Sequence, residues 1–434
     1  MAKEIVFIAG KDPLVEIGGH SSYVRAHARA AIRLGFEPHL FCVSRKTEVV
    51  QSDFGFIHRV ATPFRPFRPL MTPFHSPLIS VEAERFLATI SDPVLIHGFG
   101  VGGYAGFIVA RKLRRRGRKL SLIVNSYTTV EHEARGKLDG VNSNHGFSRR
   151  LQHLIEYVWT IACLNHYERR LYGGSQLVIT NYASVERLLG ARYGASVRMR
   201  QMPYASEMAF LRDQSERPAA ADPPAGAPAG LPVGLEYLKP ADAPLLVAVS
   251  RQDPRKGVDV LLRALAELQS RDVAFRAHIV GGGLLFEAHQ RLAGRLGLGA
   301  SVILTGRVPD SYNYLRQADA FVLPSLQEGS GSVSLLEALQ AGVAVVASNI
   351  DGISEDVTDG ESALLVEPGD AAALSRALER VLTDAELRGR LQRRARETFV
   401  EKFSAETFTN ALRDLYAELG FNMIHLAEKW QVVY

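Results

Sequence analysis

Short runs of consecutive apolar residues alternate with amphipathic stretches along most of the chain. EIVFIAG (4–10) predicts a buried strand, and SSYVRAHARAAIRLG (21–35) predicts an amphipathic helix closed by Gly35. PHLFCV (38–43), VLIHGFG (94–100), SLIVNSY (121–127) and QLVITN (176–181) predict further strands, several with helical segments between them. Strands apolar on nearly every residue, rather than on every second one, belong to a parallel sheet covered on both faces.

The pattern breaks over 214–243, QSERPAAADPPAGAPAGLPVGLEYLKPADA, which is rich in Pro, Ala and Gly and is expected as a mobile excursion at a domain boundary. The alternation then restarts. LLVAVS (245–250), FRAHIVGGG (275–283), SVILTG (301–306), AFVLPS (320–325), AVVASN (344–349) and ALLVEP (363–368) predict strands, and 370–382, 384–399 and 404–419 predict closing helices. This gives an α/β chain of two Rossmann-like domains facing one another across a cleft. The boundaries expected are 1–205 for an N-terminal domain, 206–243 for a linker with the insert, and 244–415 for a C-terminal domain. The segment 416–434 is then a C-terminal helix able to pack back on the first domain. Ligands of such sheets bind beyond the carboxyl ends of the strands, so a site between the domains is expected.

Composition narrows the class. At 434 residues the chain exceeds one ordinary core, and 47% apolar with 22% charged residues is globular. A net charge of +5 is too mild to point to nucleic acid. Cys42 and Cys163 lie far apart in apolar runs, which fits a reducing compartment and neither a disulfide framework nor a zinc site. No apolar run reaches membrane-spanning length, and MAKEIVFIAG reads as a first strand rather than a signal peptide, so a cytoplasmic protein is expected.

The candidate chemistry gathers at strand ends. SRQDPRKG (250–257) follows one strand and precedes a helix, which places Arg251 and Lys256 beside a helix N-terminus that already attracts anions. A forked guanidinium and a point-charge ammonium there suit a diphosphate. Gly18-Gly19-His20-Ser21-Ser22 holds the equivalent place after the first strand, where backbone can approach a ligand and Ser21 or Ser22 can cap the helix. In SLQEGSGSVSLLEALQAG (325–342), Gly329 and Gly331 leave room over a helix start that Ser332 can cap. Glu337 lies too deep for a capping box and can accept bonds from a sugar diol. No Asp-x-Asp pair occurs in the sequence, so no metal site is expected and Arg and Lys carry the diphosphate.

Together GGHSSYVRAHARAAIRLG, SRQDPRKGVDVLLRAL, the IVGGG strand end, LTGRVPDSYNYLRQADAFVLPS and EGSGSVSLLEALQAGVAVVAS resemble the family 4 glycosyltransferases, from about residue 4 to about residue 415 without the insert. These are retaining, nucleotide-sugar-dependent enzymes of the GT-B fold. The resemblance implies a metal-independent hexosyltransferase without a cofactor. Its donor would be a UDP- or GDP-linked sugar, and its acceptor a sugar, a lipid-linked group or a small molecule. It implies that Arg251 and Lys256 hold the diphosphate, helped by the backbone at Gly18 and Gly19. Gly306, Arg307 and Val308 would lie against the base, and Glu337 would take the ribose hydroxyls. Glu328 with Gly329, Ser330, Gly331 and Ser332 would contact sugar and phosphate, and His97 matches a histidine before the cleft. Two departures stand out. Eight residues separate Glu328 from Glu337, one more than is usual in the family, and the strand that often ends in a histidine ends here in VNSYTT. That puts Tyr127 or Thr128 in the place, with His132 as a stand-in from the following loop. A sugar-nucleotide epimerase or a non-catalytic nucleotide-sugar binder on the same plan is the alternative. The run RKLRRRGRK (111–119) reads as a solvated helix end, or as a contact for an anionic membrane or acceptor; nucleic acid is not expected. TPFRPFRPLMTPFHSP (62–77) reads as a long Pro/Phe loop.

Overall fold

The computed structural model describes residues 3–16, 18–63, 69–91, 93–139, 147–194, 197–212 and 243–421. The Pro/Ala-rich stretch lies outside these residues except for Ala243, as do 422–434 of the expected tail. Two compact units emerge, one of 1–210 with 404–434 and one of 211–403.

The first unit carries β1 (Lys3–Gly10), β2 (Phe36–Ser44), β3 (Glu48–Ser52), β4 (Gly55–Ala61), β5 (Val94–Phe99), β6 (Leu120–Asn125), β7 (Leu177–Thr180) and β8 (Met199–Gln201). They form one sheet in the order β3-β4-β2-β1-β5-β6-β7-β8. Only β3, antiparallel to β4, breaks the parallel run. Ile5 to Ile8 are fully buried, as a central parallel strand between two helical layers requires.

The second unit carries β9 (Leu245–Val249), β10 (Arg276–Val280), β11 (Val302–Gly306), β12 (Ala320–Leu323), β13 (Ala344–Ser348) and β14 (Leu364–Val366). All pairings are parallel, in the order β11-β10-β9-β12-β13-β14. This is the dinucleotide-fold order, with its direction reversing between β9 and β12, so the crevice for a ligand opens beyond the ends of those two strands. Leu261, Leu262 and Leu265 of the helix Val258–Ser270 pack with Leu374, Leu378 and Val381 of Ala371–Thr383 in its core.

Three features depart from the sequence reading. The helix Ala405–Glu418, which the expected boundary at 415 divides between the C-terminal domain and a segment packing back on the first, belongs whole to the first unit. Its buried face, Phe408, Leu412, Leu415 and Tyr416, says that it packs but not against what, and Tyr416 reaches His97 of β5. The β3–β4 hairpin carries mostly exposed or half-buried residues and gave no apolar run to read. Within the expected Pro/Phe loop, Thr72 opens a helix to Leu87, with Pro73 in the first turn, where its missing N–H is harmless. Among the described residues no helix is long and apolar enough to cross a membrane.

Candidate functional site

Loops after β9, β12 and β13 converge in the second unit. After β9, Asp253 accepts from the Arg255 amide and starts the short turn Pro254–Lys256. Gly257 follows in the left-handed region at φ 60°, and a Cβ there would stand 2.0 Å from the Pro324 carbonyl oxygen. No other residue type fits, so this loop lies directly on the end of β12. The amides of Leu326 and Gln327 close the contact by donating to the Arg255 carbonyl at 2.7 and 3.2 Å.

That docking fixes the ionic center of the site. Lys256 Nζ donates to Glu328 Oε2 at 2.5 Å, and Ser325 Oγ donates to Glu328 Oε1 at 2.6 Å. The Glu328 side chain is only 5% exposed. The loop that carries it is pinned from behind, because the amides of Glu328 and Gly329 donate to Asp351 Oδ2 at 2.7 and 2.9 Å. Asp351 itself adopts φ 43°, a strained value for a non-glycine residue at the end of β13. Sequence reasoning missed Asp351, whose only local signal is Asp-Gly after a strand. The longer spacing therefore does not turn Glu328 outward; it faces Lys256.

Arg251 behaves differently. Its side chain is 65% exposed, with one loose contact to Asp253 at 3.5 Å. Arg255, overlooked in the sequence, is the more enclosed guanidinium of this turn, its side chain 10% exposed. Gln252, also overlooked, is fully buried and ties the turn to the three glycines after β10: its Nε2 donates to the Gly281 carbonyl at 2.9 Å, and its amide donates to Gly282 at 3.0 Å. The stem of Arg307 comes up against Gly282, so the Gly306-Arg307-Val308 turn adjoins the same loops, with Arg307 exposed. Ser332 precedes the helix Val333–Ala341 but does not cap it; its hydroxyl pairs with Ser334 Oγ at 3.0 Å. Ser330, Ser332 and Glu337 are buried, the last on the helix Val333–Ala341.

The first unit holds the remaining candidates. Gly18 precedes the helix Gly19–Arg33 with φ 143°, and space is open where a Cβ would stand. Neither serine caps that helix: Ser22 Oγ instead accepts from the Glu207 amide at 2.9 Å. His20 points its ring edge-on at Tyr127, 5.5 Å between centroids, and burial followed by the charge of Lys11 lowers its pKa to about 4. Tyr127 Oη and Thr128 Oγ1 are buried, and neither has a hydrogen-bond partner among the described residues. Buried hydroxyls without a protein partner leave hydrogen bonds for water or a ligand to complete. His132 sits in the first turn of Val130–Asp139, its amide held by Thr129 Oγ1 at 3.1 Å.

His97 needs correcting. It was expected at a ligand, but it is 0% exposed in the middle of the sheet, stacked on Phe99 and edge-on to Phe7 and His27. Asn125 donates through Nδ2 to the Tyr23 hydroxyl at 3.1 Å, so its Oδ1 is the acceptor facing His97 Nε2. His97 is then the neutral Nε2–H tautomer and accepts from the Tyr416 hydroxyl, 3.1 Å from Nδ1. Burial lowers its pKa to about 3. It is a satisfied core histidine.

The basic run 111–119 is largely engaged. Lys112 and Arg116 both pair with Glu84, while Arg114 and Arg118 donate to backbone carbonyls of Gly174, Leu87 and Ile90. Its placement in the last turn of Tyr104–Arg115 also suits the helix dipole. Among the described residues no cluster of three His, Cys, Asp or Glu side chains could hold a metal ion.

Solved structures share this architecture. Sucrose-phosphate synthase from Thermosynechococcus elongatus superposes with a TM-score of 0.72 at 22% identity, over 96% of this chain and 99% of that one. The fold is GT-B. Residues 236–398 match the family described as glycosyl transferases, group 1. This GT-B chain is 35% identical over 178 residues to the lipopolysaccharide core biosynthesis glycosyltransferase LpsE of Rhizobium meliloti, covering 41% of the chain and 51% of that relative. It is 36% identical over 173 residues to a GDP-mannose-dependent alpha-(1-6)-phosphatidylinositol monomannoside mannosyltransferase of Mycolicibacterium smegmatis, covering 38% and 44%. The chain thus spans about half the length of the curated relatives it matches.

Proposed function

We propose that the protein is a retaining glycosyltransferase, moving a sugar from a UDP- or GDP-linked donor to an acceptor hydroxyl in glycan, glycolipid or glycosylated-metabolite biosynthesis. The observation that carries this is the convergence of the β9, β12 and β13 loops on Lys256 and Glu328 at the switch point of the second sheet. The group 1 match over 236–398 and the GDP-mannose dependence of one relative agree with it.

Breaking the bond between an anomeric carbon and a phosphate develops positive charge on the sugar and negative charge on the leaving diphosphate. Exposed Arg251 is free to swing onto the phosphates, and Lys256 has two further N–H bonds to offer beside the one it gives Glu328. Each charge-assisted bond contributes about 1.5–3 kcal/mol, most when it is already in place before charge develops. No metal is assigned a role, and the carboxylate pair that commonly holds a metal-diphosphate is missing from the sequence. Glu337 and the Gly306–Val308 turn are assigned to ribose and base, and Gly329 to Ser332 to sugar and phosphate. Acceptor attack on the face that the leaving group departs gives retention. Tyr127 and Thr128 supply hydroxyls in the acceptor-side unit, and His97 has a structural role. Contact of the chain with an anionic membrane falls to exposed Arg111 and Arg115 of the basic run.

Incubation with a panel of UDP-, GDP- and ADP-sugars, scored for release of nucleoside diphosphate with and without acceptors, tests the proposal. Release from one donor class supports it. Conversion to an epimeric nucleotide sugar, or tight binding with no release, refutes it in favor of an epimerase or a binder.

A further inference from the structure

We infer that Glu168, which no motif brings forward, is the positioning residue of the loop carrying Tyr127 and Thr128, and that its proton sets how firmly that loop is held; this rests on the glycosyltransferase reading above. Glu168 belongs to the helix Asn165–Gly174 and is 1% exposed. Its Oε1 accepts from the Val130 amide at 3.0 Å and from the Tyr172 hydroxyl at 3.2 Å, and its Oε2 accepts from the Tyr193 hydroxyl. Val130 is the first residue of the helix that follows the β6 loop, so the carboxylate caps that helix from a different element. Tyr172 lies between Glu168 and the loop, its one hydroxyl proton serving either Glu168 Oε1 or Ser126 Oγ, 2.9 Å away, while Ser126 Oγ donates to the Thr128 carbonyl at 3.3 Å. The carboxylate therefore holds the loop bearing the two unsatisfied hydroxyls directly at its far end, through the Val130 amide.

The charged and titratable groups around Glu168 are few. Arg192 and Tyr193 face it from the helix Ala183–Tyr193, Tyr172 lies on its own helix, and Glu131, on the helix it caps, is occupied by Arg192 and by Asn165 Nδ2. Burial outweighs the hydrogen bonds and the Arg192 charge and lifts the Glu168 carboxyl to about 7. Ionised, Glu168 receives three donors. Protonated, it must donate, and the acceptors in reach are the two tyrosine hydroxyls. Donation to Tyr172 turns that phenol's own proton toward Ser126, and donation to Tyr193 reverses the bond on Oε2. Either way the bond from the Val130 amide stays but loses its charge assistance, and that is the hold on the loop that weakens. Sequence gave little signal, because a glutamate in the first turn of an amphipathic helix reads as an ordinary dipole partner.

Hydrogen exchange of the 126–132 segment and the pH profile of kcat, each measured from pH 5.5 to 8.5, test the inference on the full chain. Corrected for intrinsic exchange, protection in the parent should rise about tenfold with pH as one charge-assisted bond is gained, and kcat should rise over the same range. Glu168→Gln should abolish both dependences. Tyr193→Phe, which removes a donor that favors the ionised form, should move both midpoints to higher pH; a residue with only a packing role would move neither. Protection that is insensitive to pH and to Glu168→Gln overturns the clamp. Altered protection with a kcat profile identical to the parent in both variants overturns the positioning role. Parent protein that releases no nucleotide from any donor, yet shows the predicted exchange behavior, leaves the clamp standing and removes the glycosyltransferase reading instead.

Discussion

Lys256 and Glu328 offer the sharpest test, because their pairing makes stability and donor binding respond in opposite ways. Lys256→Ala removes the ammonium and leaves the 5%-exposed Glu328 carboxylate with the Ser325 hydroxyl on its other oxygen. Breaking a buried ion pair from one side costs about 3–5 kcal/mol. Glu328→Gln is milder, since the amide oxygen still accepts from Lys256, and the loss there is about 1–2 kcal/mol. In the double variant no charge is stranded, so its loss should fall short of the sum of the singles by about 2 kcal/mol. Urea unfolding followed by far-UV circular dichroism measures these values, with exchange of the β9 and β12 amides assigning the transition to the second unit. Additive losses would mean that the two groups do not meet in solution.

Nucleoside diphosphate binding adds a second axis. Lys256→Ala should weaken it at least about tenfold, the loss of one charge-assisted bond of about 1.5 kcal/mol. Glu328→Gln releases the ammonium from an anionic partner and should leave nucleotide binding equal or tighter, while turnover falls. Calorimetric titration with UDP and GDP separates the two. Equal weakening by both variants would refute Lys256 as the phosphate ligand and reduce the pair to a structural one.

Glu337→Gln should weaken donor binding strongly while leaving the fold intact, because the amide keeps the shape of the carboxyl; an unchanged donor affinity excludes it as the ribose ligand. EDTA should leave turnover unaffected, and loss of activity restored by magnesium or manganese would displace Arg251 and Lys256 from the charge role. Acid should destabilise the first unit through His97. Its folded pKa, about 3, lies below the ordinary 6.5, so the unfolded chain binds more protons between those values and stability falls as pH drops through the window. The slope from this one group reaches about 1.4 kcal/mol per pH unit, and His97→Asn should reduce the slope of urea midpoints from pH 7 to pH 4 by up to that amount, with His20, His27 and His58 keeping the rest.

What was legible in the sequence was local. Ile5 to Ile8 announce a buried parallel strand by themselves, and the dinucleotide-fold order follows once such strands alternate with helices. The β3–β4 hairpin escaped because Glu48, Val49 and Gln51 are all exposed, leaving no period to detect. The helix Thr72–Leu87 escaped because Pro73 and Pro77 outweigh its apolar positions in any propensity count.

The site residues show the same limit in a stronger form. A histidine in an apolar strand reads equally as a ligand group or as a core group, and only its partners decide. For His97 these are Asn125 and Tyr416, the latter 319 residues away on a helix that returns from beyond the second unit. Glu328 carried the opposite ambiguity, a loop one residue longer than the family's, and its direction is set by Lys256, Ser325 and Asp351. Asp351 comes from the turn after β13 and holds the loop by two amides, so the extra residue is absorbed without releasing the carboxylate. A flexible Gly/Ser insertion costs little closure entropy, and two backbone bonds to one carboxylate exceed that cost. The spacing between two glutamates was therefore a weak guide, because the geometry of the first is set by a neighboring strand end and that of the second by its helix.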